Sequence, residues 1–324
     1  MIEAFVVGRI GVDFTPSEPR TSLAEATTFR RAVGGFAGNI GTGLARLGIA
    51  TGVVSSVGDD GHGDHVRSAL AAEGISVAGL TTQPGARTQV AFFEAWPPDE
   101  FPVTFYRLAP APDTLLAVSE VPLDELAAAP LIIVSGALLA VEPARSTALA
   151  ILADRLAARD RRAMSWTILD LDWRPSLWPD PGDYPGLVER AAELSDVLIG
   201  SDGEFAAAGL APAAVAHGPR IVVLKHGQDG VSLLAAGRRE ALPGIPVEVI
   251  CGLGSGDALT AAVAAGLLQG LDPLAAIARG NAAGAIVASR LMCSAAMPTP
   301  AEIDELLART PDEPLATRAQ EALP

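Results

Sequence analysis

Gly252-Leu253-Gly254-Ser255-Gly256-Asp257, followed by the apolar run Ala258 to Leu268, is the stretch on which the fold turns. Three glycines at alternate positions accept positive φ and, lacking Cβ, let backbone N–H groups approach an anion closely. The run behind them predicts a buried helix. Starting at Ser255 or Gly256, that helix directs its positive N-terminal end at whatever occupies the turn, which is how phosphates are commonly held. Asp257 falls in the first helical turn, either as a local capping group or as a base facing a phosphoryl acceptor. Its place at a helix N-terminus predicts a lowered pKa.

Upstream of this turn the chain alternates strands and helices. Ala4–Val12 reads as one apolar strand, interrupted by Arg9 and closed by Asp13. Gly34-Gly35-Phe36-Ala37-Gly38-Asn39 runs into a helix through Leu47 that Gly48 ends. Thr51–Val57 is a strand, and Asp60 can cap a helix over His62–Glu73 that stops at Gly74. Strand, helix, strand, helix with short connections predicts an α/β fold with a mostly parallel sheet covered on both faces. Thr88–Trp96 and Val103–Arg107, rich in β-branched and aromatic residues, flank Pro97-Pro98 and read as an antiparallel pair outside that sheet. Such a pair is a small lid or an ordinary edge hairpin. The alternation resumes with strands at Leu131–Ser135, Trp166–Leu171, Val197–Gly200, Ile221–Lys225 and Val231–Ala235, and with helices at Pro143–Arg159, Pro273–Ser289 and Pro300–Arg309. We expect one domain over 1–310, carrying lid strands at about 88–107, and a flexible tail over 311–324.

Composition narrows the partners. The 324 residues carry a net charge of −15, which argues against nucleic acid and anionic membranes, because phosphate-rich surfaces demand surplus Lys and Arg. No apolar run is long enough to span a bilayer. The two cysteines, Cys251 and Cys293, form no CxxC pattern and no disulfide framework, which suits a reduced cytoplasm. The four histidines show no metal-like spacing.

In order and spacing, Gly34-Gly35-x-x-x-Asn39 and Gly254-x-Gly256-Asp257, with Asp13 before them and Asn281 after, resemble the two signatures of the ribokinase-like (PfkB-type) carbohydrate kinases. The likeness covers nearly the whole chain. It is closest to the branch that serves inositol catabolism, through Gly8–Asp13, Pro97–Pro102, Phe105–Arg107, Ala111–Thr114, Leu169–Pro175, Cys251–Gly254 and Ala296–Thr299. The resemblance implies a three-layer sandwich with a small β lid. It also implies ATP-dependent phosphorylation of the terminal C6 hydroxyl of 5-dehydro-2-deoxy-D-gluconate. Other acceptors in reach of the same chemistry are 2-keto-3-deoxygluconate, fructose or a nucleoside; a non-catalytic sugar-binding protein on the same fold is the reading from another class.

By the same resemblance, Asp257 is the base, and the N–H groups of Gly254, Ser255 and Gly256 hold the transferred phosphoryl group. Asp13, Gly34, Gly35 and Asn39 form the sugar pocket. Arg107 and Arg174 are candidates for a substrate carboxylate, since a guanidinium presents a matching fork, with surface ion pairing as the competing role. Lys225, Gly227, Gly230 and Asn281 match the ATP side, although Lys225 alone reads equally as a solvated strand-end charge. Mg2+ accompanies ATP, assisted by Glu204 through water. Ser201 stands where the family usually has Asn, and Cys251 where it often has Asp, which bears on a possible monovalent-cation site. Lids of this kind often pair across a homodimer, so a second copy of the chain is a possible partner.

Overall fold

The computed structural model describes residues 1–158, 165–212 and 218–309; the expected tail over 311–324 lies outside them. In chain order the strands are β1 Ala4–Val7, β2 Gly11–Pro16, β3 Phe29–Gly34, β4 Thr51–Gly58, β5 Ser76–Gln83, β6 Val90–Phe93, β7 Val103–Tyr106, β8 Leu131–Ser135, β9 Trp166–Asp170, β10 Val197–Ser201, β11 Ile221–Lys225, β12 Gly230–Ala235 and β13 Arg238–Pro243. The helices are α1 Phe36–Arg46, α2 Gly61–Ala72, α3 Leu123–Ala128, α4 Ala144–Ala157, α5 Tyr184–Glu193, α6 Asp202–Ala208, α7 Ser255–Leu268, α8 Pro273–Ala288 and α9 Pro300–Arg309. Among the described residues nine strands form one sheet in the order β13-β12-β11-β10-β9-β8-β1-β4-β5, parallel except for the β11–β12–β13 meander at one edge.

Side-chain alternation makes this sheet two-faced. On β1, Ala4 and Val6 enter one apolar core while Phe5 and Val7 enter another. On β8, Leu131 and Ile133 divide from Ile132 and Val134 in the same way. Strands buried on both sides therefore read as continuous apolar runs, as expected for a parallel sheet between two helical layers. Helices α1, α2, α7, α8 and α9 supply the first core, and α3, α4, α5 and α6 the second. The chain is a three-layer α/β sandwich.

The first strand departs from expectation. Ala4–Val12 is not continuous: β1 ends at Val7, and β2, starting at Gly11, belongs to a different sheet. The reason lies in Gly8 and Arg9. A Cβ at Gly8 would sit 2.6 Å from the Phe36 ring, so only glycine passes there, and a cation at Arg9 cannot remain in an apolar sheet interior. Asp13 consequently lies within β2, not in a turn beyond a strand.

The lid is also larger than the expected pair. Its order is β3-β2-β6-β7, with β2 antiparallel to β3, parallel to β6, and β6 antiparallel to β7. A third apolar cluster fastens it to the body. Ala32, Phe93 and Ala95 pack with Cys251 and Met292, and Phe101 and Leu253 close the group. The lid is thus packed against the loop that leads into the glycine turn.

Candidate active site

Helix α7 begins at Ser255, with Gly254 as its N-cap at φ 82°, the left-handed region where glycine alone is unstrained. A Cβ at Gly254 would meet Cys293 Cβ at 2.9 Å, so the turn also needs glycine for space. First-turn N–H groups have no intrahelical acceptor. Ser255 and Gly256 line a cavity of about 640 Å3. Lys225, Gly227, Gly230 and Asn281 line the same cavity, so the residues matched to the nucleotide side converge. Asn281 Nδ2 is tied to the Pro243 carbonyl at 2.8 Å, which joins α8 to the end of β13.

Asp257 does not cap the helix: α7 has no side-chain cap bond. Its Oδ2 instead accepts a 2.7 Å hydrogen bond from Asn39 Nδ2 on α1. The other Asn39 atom, Oδ1, is buried with no hydrogen-bond partner among the described residues. An orphan acceptor beside a carboxylate is a place for a ligand hydroxyl, since buried polar groups are otherwise satisfied. Burial pushes the Asp257 carboxyl up to about 6; the Asn39 bond and Arg174 pull it down, while Asp172 and Asp170 push it further up. The lowered pKa expected from the helix terminus is therefore overturned. A terminus contributes a modest local field, whereas desolvation raises the energy of the charge itself.

Asp13 faces Asp257 from the lid. Burial raises it to about 7 and the Asp257 charge adds to this, while Arg9 and a hydrogen bond with Cys293 act the other way. A Cβ at Gly34 would lie 2.0 Å from the Asp13 carboxyl carbon, so the glycine of the antiparallel partner strand makes room for the carboxylate. Gly35 is the N-cap of α1. A small cavity lined by Arg9, Asp13, Gly35 and Gln89 opens between lid and body.

At the C-terminal ends of the parallel strands, charged groups interlock, as they do where open α/β sheets bind ligands. Lys225 at the end of β11 donates to Asp170 Oδ2 at 3.2 Å, and Glu204 Oε2 lies 3.7 Å away. Burial opposes the Lys225 charge, but Asp170 and Glu204 outweigh it and hold the ammonium well above its ordinary pKa. Lys225 is thus a partly buried member of this charged cluster and not a solvated strand end. Thr260 on α7 donates to Asp170 Oδ2 at 2.7 Å, which ties β9 to the helix of the glycine turn.

Asp172 occupies a left-handed backbone conformation, φ 37°, one that Asp tolerates better than most residues. It accepts two bonds from Arg9 Nη2, at 3.0 and 2.9 Å, and one from Ser135 Oγ at 2.6 Å. Burial works against its charge, but Arg9, then Arg174 and Ser135, hold the carboxyl below its ordinary range. The loop carrying it is braced by Trp173, Trp178 and Tyr184, whose rings pack together, and by Tyr184 Oη on the Leu171 carbonyl at 3.0 Å.

Glu204 accepts from the Ser201 N–H at 2.7 Å and the Trp173 N–H at 3.2 Å, and the Glu204 N–H in turn donates to Ser201 Oγ at 3.3 Å, a reciprocal cap on α6. Arg107 pairs with buried Asp113 at 2.7 and 2.8 Å and also donates to Gln89. Arg174 is half-exposed and sits 3.3 Å from Asp172. Arg9, Asp170, Asp172, Ser135 and Thr260 received no role from the sequence. Asp170 and Asp172 had a signal, polar residues just beyond a strand; Arg9 signalled itself only as a cation inside an apolar run.

Residues 1–300 match the sequence profile of the pfkB family carbohydrate kinases. The chain belongs to that family. It is 32% identical over 326 residues to 5-dehydro-2-deoxygluconokinase of Clostridium tetani, covering 96% of this chain and 94% of the relative. It is 30% identical to the protein of the same name from Bacillus subtilis, covering 93% and 94%. In fold it is similar to the fructokinase of Vibrio cholerae, with a TM-score of 0.81, 22% identity, and coverage of 95% and 99%. The protein is a phosphotransferase acting on a sugar. No helix among the described residues is long and apolar enough to cross a membrane.

The raised carboxyl has a consequence for stability. Asp257 titrates near 6 in the folded protein, above the ordinary 3.8 of a solvated aspartate, so folding favours its protonated form. That stabilisation is complete below about pH 4 and is lost as the pH rises through 6. At pH 8 Asp257→Asn should therefore be more stable than wild type, by roughly 1–3 kcal/mol at about 1.4 kcal/mol per unit. The gain should shrink toward pH 4, while turnover at pH 8 falls about 10²–10⁴-fold. Thermal unfolding and turnover across pH 4–8 check this; wild-type turnover with no gain at pH 8 contradicts it.

Proposed function

We propose that the protein transfers the γ-phosphoryl group of ATP to the terminal C6 hydroxyl of 5-dehydro-2-deoxy-D-gluconate. The observation that carries this reading is the position of Asp257. It is bonded to Asn39 on the acceptor side and adjoins the Ser255–Gly256 turn that lines the nucleotide cavity. The names of the relatives from Clostridium tetani and Bacillus subtilis point to the acceptor.

The chemistry follows from the groups in place. The acceptor hydroxyl lies between Asp13, Asn39 Oδ1 and Asp257, and Asp257 takes its proton. With a pKa of about 6, Asp257 is ionised at neutral pH yet remains a better proton acceptor than an ordinary carboxylate. The N–H groups of the Gly254–Gly256 turn and the Lys225 ammonium face the charge that develops on the phosphoryl group, as fixed donors that need no reorganisation. ATP occupies the cavity lined by Gly227, Gly230 and Asn281. Glu204 and Asp170, both beside Lys225, fit a mostly hydrated Mg2+, which needs only one or two carboxylates besides the phosphates. Such an ion neutralises phosphate charge. Cys251, fully buried against Met292, is a soft donor where a hard cation would want oxygen, so no monovalent-cation site is assigned there.

The same reading includes a homodimer formed through the lid. Phe29, Phe105, Tyr106 and Leu108 are exposed there, and β3 and β7 present open edges. Paired strand edges would be protected from wrong partners.

Two measurements test the reading. ADP release with ATP and Mg2+ against keto-deoxy acids, neutral ketoses and nucleosides should show the highest kcat/KM for 5-dehydro-2-deoxygluconate; a higher value for a neutral ketose would sink the assignment. Light scattering should give twice the chain mass, reduced toward one chain mass in Tyr106→Asp. A monomeric wild type removes the dimer.

A further inference from the structure

An acid acceptor bound between Asp13 and Asn39 needs a cation for its carboxylate, and the three arginines around the acceptor side differ in what they can offer. Arg107 already donates from both terminal nitrogens to Asp113, which is 1% exposed, and to Gln89. A fork matched to one buried carboxylate has little capacity for a second. Arg174 is 46% exposed at its side chain and lies at the rim, where water screens its charge.

Arg9 differs from both. It is only 7% exposed, and it lines the small cavity together with Asp13, Gly35 and Gln89. Its two hydrogen bonds both leave from Nη2, to Asp172. Its Nε is buried and has no partner among the described residues. A buried donor on a charged group is strongly disfavoured when left unpaired, so this N–H calls for an acceptor that the described residues do not supply. Arg9 cannot swing away to find one. Its backbone carbonyl is held by the Ala37 N–H at 2.9 Å, and its guanidinium is fixed by Asp172, which Ser135 holds in turn.

We propose that Arg9 receives the carboxylate of the acceptor and sets the preference for sugar acids over neutral sugars. The inference rests on the acid-kinase reading above. Arg9 supplies the buried donor, Asp172 orients it, and Asp13 on the adjoining strand takes the hydroxyls. The anion lowers the cost of the buried guanidinium, and the guanidinium offsets the repulsion between the acid and the Asp13 carboxylate.

The test compares the keto-deoxy acid with its primary amide, which keeps the shape and removes the charge. Affinity is read as KM, or as an inhibition constant where the amide is not turned over. Arg9→Lys retains the charge beside Asp172 and removes the planar fork. The double variant Arg9→Gln with Asp172→Asn removes both charges, so neither protein leaves a buried anion unpaired. The acid should weaken about ten- to a hundredfold in both, as for loss of a charge-assisted hydrogen bond, and the amide by less than about threefold. Arg107→Met and Arg174→Met should leave the acid-to-amide ratio within about threefold of wild type. Equal weakening of acid and amide in the Arg9 variants makes Arg9 a brace for Asp172 and overturns the proposal, as does a ratio that moves only in Arg107→Met or Arg174→Met. If wild-type protein itself shows no preference for the acid over the amide, the acid-kinase reading fails together with the role of Arg9. A preference that survives both Arg9 variants removes Arg9 alone.

Discussion

The site depends on one carboxylate being held out of water. Asp257 is placed by the first turn of α7, hydrogen-bonded by Asn39 from α1, and surrounded at longer range by Asp170 and Asp172. Those contacts come from α1 and from the end of β9, so the proton affinity of Asp257 depends on the packing of two helices and one strand end. A helix terminus acting alone would make it a weaker base. Burial reverses the sign, because removing a charge from water outweighs a terminal dipole contribution of well under about 2 kcal/mol.

Neutralising pairs keep this burial tolerable. Asp170 is matched by Lys225, and Asp172 by Arg9 and Arg174. An unpaired charge in these positions would be strongly destabilising, and a paired one contributes little net stability, so their value lies in position and not in binding the fold together. Asp170 ties β9 to α7 through Thr260, and Asp172 ties the loop after β9 to the segment between β1 and β2. The lid joins the same structure through Cys251, Met292 and Phe93. The packing of the lid and the surroundings of Asp257 are thus physically connected.

Much of this could be read along the chain where the physics is local. The glycine turn announced itself through three glycines and an apolar run, and α7 begins at Ser255 as that pattern predicts. Asp60 caps α2 through the His62 and Gly63 N–H groups, another short-range effect. The two-faced burial of β1 and β8 made the parallel sheet visible as continuous apolar runs. What escaped was long-range. Val7 and Gly11 are four positions apart yet belong to different sheets, because Arg9 turns toward Asp172, 163 residues away. The lid gained β2 and β3 because β6 found its partner in β2, which is a pairing between distant segments. Strand β13, with its exposed arginines and glutamate, carries no apolar alternation and was invisible as a strand. The pKa of Asp257 was misread for the same reason: its local setting is a helix terminus, and its actual setting is an interior.

Direct titration of Asp257 in the unliganded protein reaches the centre of this account. Its side-chain carboxyl carbon, identified in a 13C spectrum by its loss in Asp257→Asn, should titrate with a midpoint of about 6. A midpoint in the ordinary aspartate range, about 4, would show that the carboxylate is solvated or governed by the helix terminus, and would contradict the account.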